Sequence, residues 1–437
     1  MKTAEERDEY GFSRLLYILE AALEYFITTA VGGVYLAKLT AYIGFSDSLT
    51  GILSAFVSLG CGFQIIAIFL AHKKPVKRWV TVLHIVSQSL FVLLYIVPLF
   101  GISAAAKAVL FVLLLLSAYI IHNIINAPKT TWYMSLVKDE KRGVFTANKE
   151  IVSLLGGVFF SWALGAMMDG FERRENMRDA FFTGGMVLFV LMILHSLTLI
   201  FSKEKPEKSG VPVPVFAEVR ALFLDKSFLK ISAIAVVWNI ANYITVPFLG
   251  TYQTKELGFS MTFASVVIML GSVFRAACSR PLGKFADRFS FADMLVICFF
   301  VEMLAFGVNI FTVPENGKIL YTIHYLLYVS GMAGINGSVI NLIYDYVSAG
   351  RRTCALALQQ ALAGLAGFLT TSLVSLLVEY IQKNGCEIFG RNIYAQQILS
   401  LISCLFAFFL VIYMLTVVKK IQRNRLKSLN AVDDERG

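Results

Sequence analysis

Two carboxylates, Glu20 and Glu24, stand four residues apart inside a long hydrophobic run, so a helix presents both on one face. Glu20 lies about a turn past the start of the run, where its side chain can reach a membrane interface. Glu24 lies deeper, roughly 13 Å along the helix at 1.5 Å per residue. A carboxylate at that depth is costly, and it marks either a proton or substrate site or the partner of another buried group. A second constellation closes the fourth hydrophobic run: His122-Asn123-Ile124-Ile125-Asn126-Ala127-Pro128. His122 and Asn126 share a face, and Pro128 is expected to kink or end the helix. Two amides and an imidazole in one turn belong against protein or water rather than lipid. They make either a solute cavity or an interhelical hydrogen bond worth about 0.6 kcal/mol. Lys149 and Glu150 open the fifth run but point in different directions. His84 and His195 stand alone and read as structural.

Other chemistries find no residues to carry them. The chain has no GxxxxGKS phosphate loop, no HExxH pair and no GxSxG elbow, so it is not expected to be an enzyme. Its six cysteines, at 61, 278, 298, 354, 386 and 404, show no CxxC or His-Cys spacing. They read as small core residues, with no metal and no cofactor expected.

The elements that must position these side chains follow from composition. Hydrophobic residues make up 57% of the 437 and charged residues 16%, against roughly 25% charged in soluble domains. Mean hydropathy is +0.70. So little polar surface cannot cover so much apolar volume in water, and a bilayer removes the need. The net charge of +10 lies in short clusters between the apolar runs. That is the mark of cytoplasmic loops rather than of nucleic-acid binding. Runs long enough to span occur at about 15–43, 49–71, 78–100, 103–127, 143–168 and 179–201, then 228–250, 260–283, 291–313, 318–343, 353–382 and 393–418. The expected fold is all-α integral membrane, with 12 transmembrane helices in two six-helix bundles. Residues 1–14 form an N-terminal tail, 15–201 the first bundle, 202–227 a linker with an amphipathic surface helix, 228–418 the second bundle and 419–437 a C-terminal tail. Lys and Arg concentrate in the even-numbered connections and the linker, which places both termini in the cytoplasm of a multi-pass cell-membrane protein.

The two halves repeat one another. Tyr42-Ile43-Gly44-Phe45-Ser46 recurs as Glu256-Leu257-Gly258-Phe259-Ser260, and Asn126 recurs as Asn336. Arg142-Gly143 with Ala147, Leu155 and Gly157 recurs as Arg352-Thr353 with Ala357, Leu365 and Gly367 at one constant offset. Ordered matches in corresponding runs identify an internal duplication.

After the eighth run comes Gly283-Lys284-Phe285-Ala286-Asp287-Arg288-Phe289-Ser290. This segment resembles the G-x-x-x-D-R-x-G loop motif of the major facilitator superfamily, kept at Gly283, Asp287 and Arg288 with Ser290 in place of the last glycine. The first-half copy has degenerated, with Phe69 and Lys73 at the Gly and Asp positions. Arg142 and Arg352 resemble the superfamily's matching loop elements. The resemblance covers about residues 15 to 420. It implies two bundles that rock about a central cavity lined by the first, fourth, seventh and tenth helices. Candidate solute-binding residues are then Tyr25, Thr28, His122, Asn126, Trp238, Asn239, Asn242, Tyr243, Tyr328 and Asn336, with His324 and Asn341 beside them. Glu24, Glu150 and Arg275 form the candidate charge network, and Gln359 and Gln360 flank it. His84, His195 and Glu302, on the third, sixth and ninth helices, are implied to be peripheral. The fourth run lacks the arginine that proton-coupled members often carry, and the fifth lacks the Gly-Pro signature of drug antiporters.

Aromatic faces beside amides suit a neutral polyhydroxylated or small amphipathic organic solute. The expected function is secondary active transport by alternating access, coupled to protons, in a monomer. The alternatives are a facilitative uniporter, an exporter of lipophilic compounds, and a receptor or scaffold of this fold that no longer transports.

Overall fold

The computed structural model describes residues 9–70, 75–137, 142–205, 215–347, 352–388 and 391–420. Each of the twelve apolar runs is helical. The first is α1 (Gly11–Ala30) and α2 (Gly33–Ile43), bent by 41° at the break. The second is the broken series α3 (Asp47–Ser54), α4 (Phe56–Gly62) and α5 (Gln64–Leu70). Next come α6 (Val76–Leu94), α7 (Ala104–Ser135), α8 (Arg142–Glu172) and α9 (Met177–Phe201). The linker helix is α10 (Val215–Leu224), with Phe216 and Leu224 exposed. Then follow α11 (Lys226–Thr245), the short α12 (Leu249–Thr251), α13 (Met261–Arg288), α14 (Phe291–Asn309), α15 (Gly317–Tyr346), α16 (Arg352–Asn384) and α17 (Ala395–Tyr413). The only strands among the described residues are the two-residue pair Glu387–Ile388 and Arg391–Asn392. Among the described residues nine helices are long and apolar enough to cross a membrane, or ten if the bent pair is one span. This is an all-helical, polytopic membrane protein.

The repeated pentapeptide has a local physical cause. Gly44 and Gly258 both adopt left-handed backbone, at φ 90° and 64°, where a side chain would be strained. Ser46 then accepts from the Leu49 N–H at 3.2 Å and opens α3, and Ser260 accepts from the Phe263 N–H at 3.1 Å and opens α13. Stop and start are written in the same two positions of each copy.

The chain divides into two compact units. Unit 1 holds residues 1–213 and 247–269, and unit 2 holds 214–246 and 270–437. Residues 247–269 thus belong with the first unit although they follow the linker in sequence. Within unit 1 the Asp169 carboxylate accepts from the backbone N–H groups of Met261 and Thr262 at 2.9 and 2.8 Å. It thereby satisfies the free donors at the start of α13. Tyr35 donates to the Ser161 carbonyl at 2.6 Å and lies 2.9 Å from the Ser265 hydroxyl. Gly156 and Gly157 leave room for the rings of Phe26 and Tyr25, so α8 lies close against α1 as their smallness predicts.

Of the two outcomes expected at Pro128, an end to the helix does not occur: α7 runs on through it to Ser135. Proline is tolerated within a membrane helix where neighbouring groups satisfy the freed backbone. The consequence is large, because the turn beyond Pro128 carries Lys129.

Candidate functional site

In unit 1 the helices α1, α6, α7 and α9 meet around a buried set of charges. Lys129, from α7, donates to Glu20 Oε1 at 2.8 Å and is also bonded to Glu24 Oε2. His195 Nε2, from α9, lies 3.1 Å from Glu20 Oε1. His84 Nε2, from α6, stands 3.7 Å from Glu20 Oε1 and 3.9 Å from Glu24 Oε1. His122 Nδ1 lies 3.3 Å from Glu24 Oε1. Three of the chain's five histidines therefore surround two carboxylates and one ammonium.

Helical spacing builds this arrangement. Glu20 and Glu24 are one turn apart on α1, and His122 and Lys129 are two turns apart on α7, so each pair faces the same way. An aromatic layer closes the cluster on one side. Tyr17 stacks on Tyr133 with centroids 4.2 Å apart, and Tyr133 stacks on Trp132 at 4.5 Å. Tyr133 donates to the Ser202 hydroxyl at 2.9 Å, and the Trp132 indole donates to the Lys203 carbonyl at 3.0 Å. Val76, Val80 and Leu199 complete the layer. Glu20, His84 and His195 are fully buried, whereas the side chains of Glu24 and His122 keep 13% and 17% exposure. The cluster is reached from the Glu24–His122 side.

Part of this group is visible in the sequence. Glu24 and His122, singled out by their types and depth, do meet. Glu20, expected near an interface, is instead fully buried because Lys129 and His195 draw it inward. His84 and His195 are not peripheral, as the resemblance implied: both rings turn toward α1, with centroids 4.8 Å apart. Lys129 was missed altogether, since a helix ending at Pro128 would have put it in a loop. Its position seven residues after His122 was the available signal.

Several candidates lie apart from the cluster. Thr28 bonds back to the carbonyls of Glu24 and Tyr25 in its own helix. The half-buried Tyr25 ring rests where Gly157 leaves space. Asn126 and Glu150 are exposed, and Lys149 sits 5.2 Å above the Tyr17 ring. The buried amide on α7 is Asn123, which donates to the Tyr119 carbonyl and accepts from Gln64 at 3.2 Å.

In unit 2 one bond joins two of the candidates. Tyr328 donates to Asn242 Oδ1 at 2.9 Å. Asn239 donates to the Ala235 carbonyl of its own helix at 3.0 Å, and the Tyr243 carbonyl accepts from Thr371 at 2.7 Å. Trp238 is buried against Phe299 and Phe306. Arg275 is half-buried on α13. His324 is buried with Nδ1 2.8 Å from the Ala305 carbonyl. Glu302, implied to be peripheral, is instead fully buried. Gly283 is open, and Arg288 lies 5.4 Å from the Phe289 ring. The side chains of Arg142, Asp287, Asn336, Asn341 and Arg352 lie outside the described residues, as do most of both tails.

An all-helical membrane fold with buried ionisable residues between its helices is the architecture of a polytopic transport protein. The Major Facilitator Superfamily model matches residues 18–371. The chain belongs to that superfamily. No curated protein sequence matches it. Among solved structures it is similar to a mutant form of the nucleoside transporter NupG, with a TM-score of 0.72 at 14% identity over 92% of this chain and 99% of that one. It is similar to a D-xylose-proton symporter, with a TM-score of 0.66 at 16% identity over 92% and 97% of the two chains. A bacterial homologue of the iron transporter ferroportin in an inward-facing state gives 0.63 at 15% identity over 92% and 97%. At these identities the likeness concerns the fold.

Proposed function

We propose that the chain is a secondary active transporter that moves a small polar organic solute across the cell membrane by alternating access, coupled to protons. The observation that carries the reading is the charge balance of the buried cluster. Two carboxylates face one ammonium inside a helix bundle, with three imidazoles beside them, so carboxylates outnumber the fixed positive charge and the site has room for one more cation or proton. Intramembrane ionisable groups of this kind mark ion and substrate pathways. Glu24 and His122, at the accessible edge, are the residues through which a cation would enter and leave.

The solute class follows from the aromatic and amide groups. Asn242, Tyr328, Asn239 and Tyr243 in unit 2 offer hydroxyls, amides and flat faces that suit a polyhydroxylated molecule. Two proteins of similar fold are named as carriers of a nucleoside and of D-xylose. The basic connections support a cytoplasmic assignment of both termini, and we take the protein to be a monomer.

The test is uptake into proteoliposomes from a mixed pool of sugars and nucleosides, with and without an inward pH gradient. Gradient-driven accumulation in the wild type, abolished in Glu24→Gln, is the expected result. Accumulation unchanged in Glu24→Gln would remove that carboxylate from the coupling. Flux without gradient dependence would make the protein a uniporter, and solute binding without flux would make it a receptor.

A further inference from the structure

We propose that Glu20, Glu24, His84 and His195 form a binding site for a divalent transition-metal ion, with the Lys129 ammonium as a tethered competitor for the same carboxylates. The proposal rests on reading this cluster as a cation site, and it does not depend on solute transport.

The donor set is the first argument. Two imidazoles and two carboxylates suit zinc, cobalt or iron(II). Calcium and magnesium prefer all-oxygen sites, and copper(I) prefers sulfur. Among the described residues this is the one group of His, Cys, Asp and Glu whose ligand atoms converge, all lying within 4.8 Å of one another. In a tetrahedral site with bonds of about 2.0–2.1 Å, neighbouring ligand atoms stand roughly 3.4 Å apart. The His195–Glu20, His84–Glu20 and His84–Glu24 separations of 3.1, 3.7 and 3.9 Å already approach that spacing. The four atoms come from three helices, so a small inward shift of side chains completes the geometry.

The side chains of this set also leave buried polar atoms without partners. Fully buried polar atoms normally find a hydrogen-bond partner. Here neither His84 nitrogen has one, and His195 Nδ1 and Glu20 Oε2 are likewise unbonded. A buried imidazole with both nitrogens idle, aimed at two carboxylates, is poorly explained as packing. It is well explained as a ligand.

Charge explains Lys129. A divalent ion on two carboxylates and two neutral imidazoles is neutral as a unit. The ammonium occupies those carboxylates when the metal is absent and must swing away when it binds, along the accessible Glu24–His122 edge. Metal affinity is therefore set partly by the strength of the lysine's hold.

The experiment is titration of Co²⁺ into the purified, untagged full chain in detergent, followed by visible absorption, with Zn²⁺ as competitor. The expected result is one ion per chain with the ligand-field bands of a four-coordinate site. His84→Phe replaces an imidazole that makes no hydrogen bond, so it should leave thermal stability unchanged. It should weaken Co²⁺ binding at least about tenfold, the lower end of what even outer-shell changes cost a metal site. Lys129→Met should tighten binding by a similar factor. If Lys129→Met does not fold, His84→Phe and His195→Phe decide the matter. No stoichiometric binding, six-coordinate spectra, or equal affinity in wild type and His84→Phe would each overturn the proposal. Flux measured without metal after the same preparation is reconstituted into liposomes reports separately on the transport reading: absent flux with intact Co²⁺ binding removes the transporter function and leaves this site in place.

Discussion

The interiors of the two units solve the problem of polar groups in opposite ways. Unit 1 gathers a group of buried charges between its helices, where Lys129 bridges Glu20 and Glu24 among three histidines. Unit 2 pairs neutral groups across helices: Thr245 with Ser403 at 2.6 Å, Asn309 with Ser400 at 2.8 Å, Gln396 with the Thr245 carbonyl at 3.2 Å, and Tyr328 with Asn242. Its fully buried carboxyl, Glu302, has no counter-charge in an ion pair among the described residues. Neutral pairs contribute about 0.5–1.5 kcal/mol each and fix how helices pack. A charge cluster is different, because removing one member strands the others. Unit 1 is therefore where single charge changes should be felt most, and unit 2 where shape should matter most.

The largest expected effect tests the first half of that contrast. Lys129→Met leaves two buried carboxylates without their ammonium. It should destabilise the protein by about 3–5 kcal/mol, the cost of breaking a buried ion pair from one side. The measurement is the unfolding midpoint in detergent, and the double variant Glu20→Gln/Lys129→Met should recover part of the loss. A Lys129→Met protein as stable as wild type would show that the ammonium is not what holds the cluster.

The next tests shape in unit 2. A methyl added at Gly331 would collide with the Glu302 carboxyl. Gly331→Ala should cost about 1–3 kcal/mol through overpacking. Combining it with Glu302→Ala should recover most of that cost, since the obstacle is then gone. A smaller effect is expected from Tyr328→Phe, which removes the bond to Asn242 for about 1 kcal/mol. If these residues also hold solute, the same variant should raise KM while leaving kcat nearly unchanged.

The same contrast governs what could be read from the sequence. Helices declare themselves through long apolar runs, and the Gly44 and Gly258 turns through a repeated pentapeptide, because both are local. Glu24 and His122 were legible as polar residues placed where lipid would penalise them. Lys129 was not, because local proline chemistry argued for a helix end that the neighbouring helices override. His84 and His195 were solitary in sequence, and nothing short of tertiary packing turns them onto α1. The family resemblance implies peripheral helices as wholes, whereas each helix has an inner face. Glu302 was misplaced for the same reason.

The smallest predicted effect bears most directly on the comparison. The Glu302 carboxyl packs against Gly331 at the α14–α15 interface, and it has no side-chain partner there. Glu302→Gln keeps the side chain's shape and length, keeps an oxygen that can accept from a backbone N–H, and breaks no ion pair. If shape is what this position supplies, the substitution should change stability by less than about 1 kcal/mol. Glu20→Gln, the same chemical change in unit 1, weakens contacts to Lys129 and His195 and should cost several times more. Comparing the two unfolding midpoints sets a charge held by partners against a carboxyl held by packing. Equal losses would mean that Glu302 has an ionic role in unit 2 after all, and would dissolve the distinction between the two interiors.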